Sequence, residues 1–179
     1  MSNLYVMIGL PGSGKSTASR QILEKEPNTK ILSSDELREE YFGNEDSQYS
    51  DKWLVENDYE IEEMSKSKKV DICNKFIFKE LQNRTMNYLK SGINVIFDAT
   101  NINDNRRKNL IDTFSSYCKY IIAVVLATSY EKCLENNNNR ERHVPENVIR
   151  GMSNKFVFPT FEEGFDDIIV IGDESNINY

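Results

Sequence analysis

Residues Gly9-Leu10-Pro11-Gly12-Ser13-Gly14-Lys15-Ser16 match the phosphate-binding pattern G-x-x-x-x-G-K-[ST] at every fixed position. No other stretch constrains the fold as tightly, because the pattern works only as a loop between a strand and a helix. Both flanks are in place. The apolar run Leu4-Tyr5-Val6-Met7-Ile8 precedes it, and a helix-like stretch begins at Lys15. Glycines let the backbone turn so that successive N–H groups converge on a phosphate. The helix start adds the positive end of its dipole. Lys15 can reach the β- and γ-phosphates, and the Ser16 hydroxyl can bind Mg²⁺. ATP or another nucleoside triphosphate is therefore expected on this loop, with Mg²⁺ beside it. What is done with the triphosphate stays open at this point.

The rest of the chain alternates strand and helix, which predicts a parallel α/β sheet. Strands are expected at Leu4–Ile8, Ile31-Leu32, Val95–Phe97, Tyr120–Ala127 and Ile168–Ile171. Helices are expected at about Lys15–Glu26, Val70–Lys90, Asn105–Tyr117, Tyr130–Asn136 and Pro145–Met152. Right-handed crossovers would place helices on both faces of a five-stranded parallel sheet of the P-loop NTPase type. The four-Asn run Asn136–Asn139 reads as a helix end or a turn.

A chain of 179 residues suits one domain, taken as 1–179. Its formal charge is −7, but segment Gly43–Glu63 alone carries eight acids and one base. The remainder is balanced, so the basic excess of a general nucleic-acid binder is missing. The irregular stretch 43–67 also holds Tyr49, Trp53 and Tyr59. It packs its aromatics on the domain or forms a flap beside the substrate. Three scattered cysteines and a single histidine, His143, give no metal-ligand spacing and no Ser-His-Asp triad. No apolar run is long enough for a membrane span, and no secretion or transit signal precedes the loop, so a cytoplasmic protein is expected.

Ligands of open parallel sheets bind beyond the carboxyl ends of the strands. Three such ends carry polar groups: the phosphate loop, Asp35 after Ile31-Leu32, and Asp98-Ala99-Thr100-Asn101 after the third strand. Asp35 is a candidate general base for a hydroxyl in phosphoryl transfer. From spacing alone it serves equally well as a helix cap. Arg38 lies one turn on and could hold a substrate phosphate or pair with a surface acid. Asp98 can hold a Mg²⁺-bound water together with Ser16. Thr100 and Asn101 face the cleft or cap the next helix. Arg140 and Arg142 precede Pro145 in a lid at about 136–155 and can close over the triphosphate.

These residues together resemble the polynucleotide 5′-hydroxyl kinase group of P-loop kinases, which occurs in bacteriophages and in bacterial and animal end-repair enzymes. The resemblance covers nearly the whole chain. It is carried by Gly9–Thr17, Ser34-Asp35-x-x-Arg38, Phe97-Asp98-Ala99-Thr100-Asn101, Asn139-Arg140-x-Arg142 with Val144-Pro145, and Lys155-Phe156 through Pro159-Thr160 to Glu163-Gly164-Phe165. It implies that Lys15, Ser16 and Thr17 belong to the ATP and Mg²⁺ grip, and that Asp35 is the base for the acceptor hydroxyl. It makes Arg38 a contact to the adjacent substrate phosphate and Asp98 a support for metal and acceptor. Arg140, Arg142 or both become lid arginines, and Pro159–Phe165 packs near the adenine. The chain departs from the group at Ser33-Ser34, where Asn-Arg is common before the aspartate.

The activity this implies is transfer of the γ-phosphate of ATP to a hydroxyl, with the 5′-OH of DNA or RNA first. A small hydroxyl compound or a sugar nucleotide, as in zeta-type toxins, is the second acceptor class. A nucleotide-binding switch without transfer is the third reading. The sequence leaves the oligomeric state open.

Overall fold

The computed structural model describes residues 1–43, 48–140 and 143–172. Strands β1 (Asn3–Ile8), β2 (Thr29–Ser33), β3 (Asn94–Asp98), β4 (Tyr120–Ala127) and β5 (Asp167–Gly172) form one sheet in the order β2-β3-β1-β4-β5. All four pairings are parallel. Helices α1 (Lys15–Lys25), α2 (Ser34–Phe42), α3 (Asp51–Glu56), α4 (Lys66–Lys90), α5 (Asp104–Phe114), α6 (Tyr130–Asn138) and α7 (Glu146–Ser153) connect and flank it.

The two sheet faces follow from the period of a strand, in which successive side chains point to opposite sides. In β1, Leu4, Val6 and Ile8 join the larger core with Leu37 of α2, Ile77 and Leu81 of α4, and Leu110 and Phe114 of α5. Tyr5 and Met7 turn to the other face and pack with Ala18 and Ile22 of α1. Helices therefore cover both faces, as expected. Each fully buried aliphatic side chain contributes about 1.5–3 kcal/mol relative to exposure, so these two stripes hold β1 at the sheet centre.

Helix α4 shows how packing selects a face. Cys73, Ile77, Leu81, Thr85 and Leu89 are buried at a constant spacing of four, and residues so spaced share one side of a helix. Ser65 caps its start by accepting from the Lys68 amide. The helix begins four residues earlier than Val70, because this cap lies before the apolar pattern begins.

Helix α3 lies in the stretch 43–67 that read as irregular, and α2 lies just before it. Ser33, rather than Asp35, caps α2: its hydroxyl accepts from the Asp35 and Glu36 amides. Helix α3 buries Trp53 and Leu54, with the Trp53 ring against Phe76 of α4 at a centroid distance of 4.4 Å. The described part of the acidic stretch thus packs its aromatics on the domain. Gln48 nevertheless reaches the cleft described below. No helix among the described residues is long and apolar enough to cross a membrane.

Candidate active site

A cleft of about 550 Å³ opens at the carboxyl ends of β1, β2 and β3. Its floor is the loop Gly9–Ser16. Gly12 and Gly14 take φ of +80° and +97°, a left-handed conformation that residues with a Cβ rarely adopt. A Cβ on Gly12 would lie 2.2 Å from the Cys133 carbonyl oxygen, and one on Gly9 would lie 2.5 Å from the Ser13 hydroxyl. At Gly9 and Gly12 the loop thus has room for backbone only, which suits a phosphate cradle built from N–H groups. The Gly9 amide donates to the Thr100 carbonyl at 3.1 Å and fixes the loop against the end of β3.

Lys15 donates to the carbonyls of Gly9 and Leu10 at 3.0 and 2.8 Å. Burial pulls its ammonium below the usual lysine range; Asp98 and Asp35 pull it back up, and Arg140 pushes it further down. Those three side chains act on Lys15 because they line the same cleft.

Asp98 ends β3 and is only 9% exposed. Burial raises its carboxyl above the usual range, with Lys15 opposing and Asp35 reinforcing the rise. A buried carboxylate beside the exposed Ser16 hydroxyl is a fitting donor pair for a hard cation that keeps waters and phosphate oxygens as its other ligands. Among the described residues no cluster of three His, Cys, Asp or Glu side chains would hold a metal alone. Ser16 and Asp98 would therefore hold Mg²⁺ jointly with a bound nucleotide.

A second wall of the cleft is built by α2 and α4. Asp35 sits exposed in the first turn of α2, and Arg38 follows one turn later. Arg38 donates from Nη2 to Asn74 Oδ1 of α4 at 2.7 Å. Asp35, Arg38 and Asn74 all line the cleft.

The wall opposite holds residues of α7 and of the chain on either side of it, with α6 behind the phosphate loop. Asn136 donates to the Gly12 carbonyl at 2.8 Å, and Thr128 donates to the Ser13 carbonyl at 2.9 Å. Asn137, 1% exposed, donates to the Val144 carbonyl and accepts from the Val144 amide, both at 2.9 Å. This pair of hydrogen bonds ties Val144 to α6; Arg140 lines the cleft with Val144, Val148 and Met152. Two members of the Asn run, Asn136 and Asn137, are therefore anchors, and three of its four residues lie within α6, which is longer than expected. Arg142 lies outside the described residues.

One expectation is corrected. Asn101 does not face the cleft and does not cap α5. Its φ is +46°, its side chain is buried, and its amide donates to the Met7 and Ala99 carbonyls at 2.8 and 3.3 Å. Asn103 is the cap of α5. Among the described residues, the Pro159–Phe165 stretch lines no part of this cleft. Its Pro159, Thr160, Phe161 and Glu162 border a shallow depression with Ile168 and Val170 of β5, and Glu163 is bound to Arg107 of α5. Thr100 does line the cleft.

Several cleft residues escaped the sequence reading: Arg20, Asn74, Phe78 and Arg106. The signal available for Asn74 and Phe78 was their spacing of four on one helix, off the apolar stripe. Arg107, fully buried, was missed as well; its run Arg106-Arg107-Lys108 reads as a solvated face until the fold shows which member turns inward.

Comparison with known proteins places this geometry. The family described as AAA domain matches residues 4–159. The chain belongs to this family of nucleotide-binding P-loop kinases. It is 26% identical over 167 residues to the L-seryl-tRNA(Sec) kinase of Methanococcus maripaludis, a match over 91% of this chain and 56% of that protein. The chain thus spans little more than half the length of this relative. Among solved structures it is similar to a chain of the Pnkp1/Rnl/Hen1 RNA repair complex, with 23% identity, a TM-score of 0.64, and coverage of 86% of this chain and 43% of that one. It is also similar to Kti12 of Chaetomium thermophilum in complex with ADP-AlF3, with 16% identity, a TM-score of 0.68, and coverage of 97% and 93%.

Proposed function

We propose that this P-loop kinase uses ATP and Mg²⁺ to phosphorylate a hydroxyl, and that the acceptor is the 5′-OH of a polynucleotide. The observation that carries the reading is Arg38, aimed by Asn74 at the same cleft as Asp35, one turn away. A guanidinium beside the base suits an acceptor that carries a phosphate near its hydroxyl. A 5′-terminal nucleotide presents a phosphodiester a few atoms from the hydroxyl, and arginine binds such phosphates through its planar fork. The whole cleft is cationic in an acidic chain: Lys15, Arg20, Arg38, Arg106 and Arg140 face Asp35, Glu36 and Asp98. Two similar proteins have names that point to RNA, an L-seryl-tRNA(Sec) kinase and a chain of an RNA repair complex, which supports a nucleic-acid acceptor without naming its hydroxyl.

In this reading Asp35 orients the acceptor hydroxyl and takes its proton. Lys15 exchanges its carbonyl contacts for phosphate oxygens, and Arg140 adds positive charge from the lid. Mg²⁺, when bound, would neutralise charge developing on the phosphates. Loss of a proton acceptor costs about 10²–10⁴-fold in rate. Asp35→Asn should therefore abolish most transfer of labelled γ-phosphate to a 5′-OH oligonucleotide while still binding ATP. Equal rates in wild type and variant would overturn the role of Asp35.

A second reading, a small hydroxyl acceptor, is favoured by the acidity of the chain and by Glu36 in the cleft. Salt separates the two. Binding through several phosphates weakens steeply as salt rises, whereas a neutral acceptor shows little change.

A further inference from the structure

Phe78 packs against the edge of the main core and also borders the cleft. The core stripe of α4 runs through Ile77 and Leu81, and Phe78 is one position round the helix from it. It is half-buried and lines the cleft. Asn74, four residues earlier on the same face, holds Arg38. The ring is therefore part of the wall built by α2 and α4.

Arg106, exposed in the first turn of α5, places its guanidinium carbon 5.2 Å from the Phe78 ring centroid. Its neighbours in kind behave differently. Arg84 is paired with Glu40 and Glu80, and Arg150 with Glu146. Among the described residues Arg106 forms no salt bridge in a chain rich in acids; its partner is the ring. The guanidinium lies over the ring, so the pair presents one stacked, polarisable platform at the edge of the cleft. Nucleobases stack on both kinds of surface.

We propose that Phe78 and Arg106 form the ledge that receives the terminal base of the acceptor while its hydroxyl reaches Asp35; this rests on the polynucleotide reading above. Arg38 would read the phosphate and the ledge would read the base, so the site selects a nucleotide unit rather than any phosphorylated alcohol.

The test uses two 5′-OH oligonucleotides that differ only in whether the 5′-terminal residue carries a base or is abasic. Base–aromatic stacking gives wild type a preference of about tenfold in kcat/KM for the base-bearing acceptor. Phe78→Leu keeps the apolar volume and removes the ring; Arg106→Lys keeps the charge and removes the plane. Each should bring the preference towards one, mainly through KM. A side chain with a merely structural role would change both acceptors alike and leave the ratio intact. An unchanged ratio in both variants, or no preference in wild type, overturns the ledge while the kinase reading stands. Transfer by wild type to a small hydroxyl compound but to neither oligonucleotide overturns both. Should Phe78→Leu fail to fold, Arg106→Lys at its exposed position decides alone.

Discussion

Arg107 meets Glu163 through two hydrogen bonds of 2.7 and 2.6 Å, with both side chains buried. The same guanidinium donates to the carbonyls of Asn101 and Val157 at 3.0 and 2.9 Å. One arginine thus joins the loop after β3 to the segment that leads into β5. Removing one partner of such a pair leaves an uncompensated buried charge and costs about 3–5 kcal/mol. Glu163→Gln and Arg107→Met are expected to lower the unfolding free energy on that scale in urea titrations. Replacing both partners together with apolar residues should cost less than the sum of the single changes.

Gly12 and Gly151 should respond oppositely to alanine. At Gly12 the φ of +80° and the Cys133 carbonyl leave no place for a Cβ. Strain of that kind costs about 1–3 kcal/mol, and Gly12→Ala should lose binding of a fluorescent ATP analogue. Gly151 lies within α7, and a Cβ there meets nothing within 4 Å. Gly151→Ala should stabilise the protein by about 1 kcal/mol through helix propensity, visible as a rise in Tm.

Asn137 bonds both backbone groups of Val144 from a buried position. Asn137→Ala unmakes two hydrogen bonds, at about 1–3 kcal/mol for each group left unsatisfied. Val144, which lines the cleft with Arg140, then loses its tie to α6. The expected outcome is about a tenfold loss in kcat/KM for γ-phosphate transfer, alongside a lower Tm. Full transfer activity in a folded Asn137→Ala protein would show that this tie is not needed for the reaction.

The pH dependence of stability has a named source at Tyr5. Burial, with Glu26 as hydrogen-bond partner, pushes its phenol up to about 12 from an ordinary value of 10.0. The native state therefore keeps this proton at a pH where the unfolded chain has released it. The stabilisation is fully present below about pH 10 and is lost as pH rises to about 12. Tyr5→Phe should be less stable at pH 8, and the gap to wild type should narrow between these limits in parallel denaturant titrations.

Local signals made the donor half of the site legible. The phosphate loop is contiguous, and the apolar runs of β1 and β4 are long enough to read alone. The capping sequence at Ser33 was readable, but not which residue caps; the Ser33 hydroxyl takes that place and leaves Asp35 on the cleft side. What escaped was set by distance along the chain. Arg107 and Glu163 are 56 residues apart, and Arg38 and Asn74 are 36 apart. No spacing rule brings such partners together. Asn101 failed for a different reason: its left-handed backbone turns the side chain inward, where a regular loop would have shown it to the cleft.

The strand order has a metric consequence. Asp35 follows β2, Asp98 ends β3 and the phosphate loop follows β1, and these three strands are consecutive neighbours in the sheet. Adjacent strands are spaced by about 4.8 Å, so the strand leading to Asp35 and the strand leading to the phosphate loop stand about 10 Å apart with Asp98 midway. The sheet acts as a ruler. The spacing at which these groups are laid out is set by backbone hydrogen bonding, which side-chain substitutions leave largely untouched, so changes along the rim can retune the acceptor without disturbing the gauge.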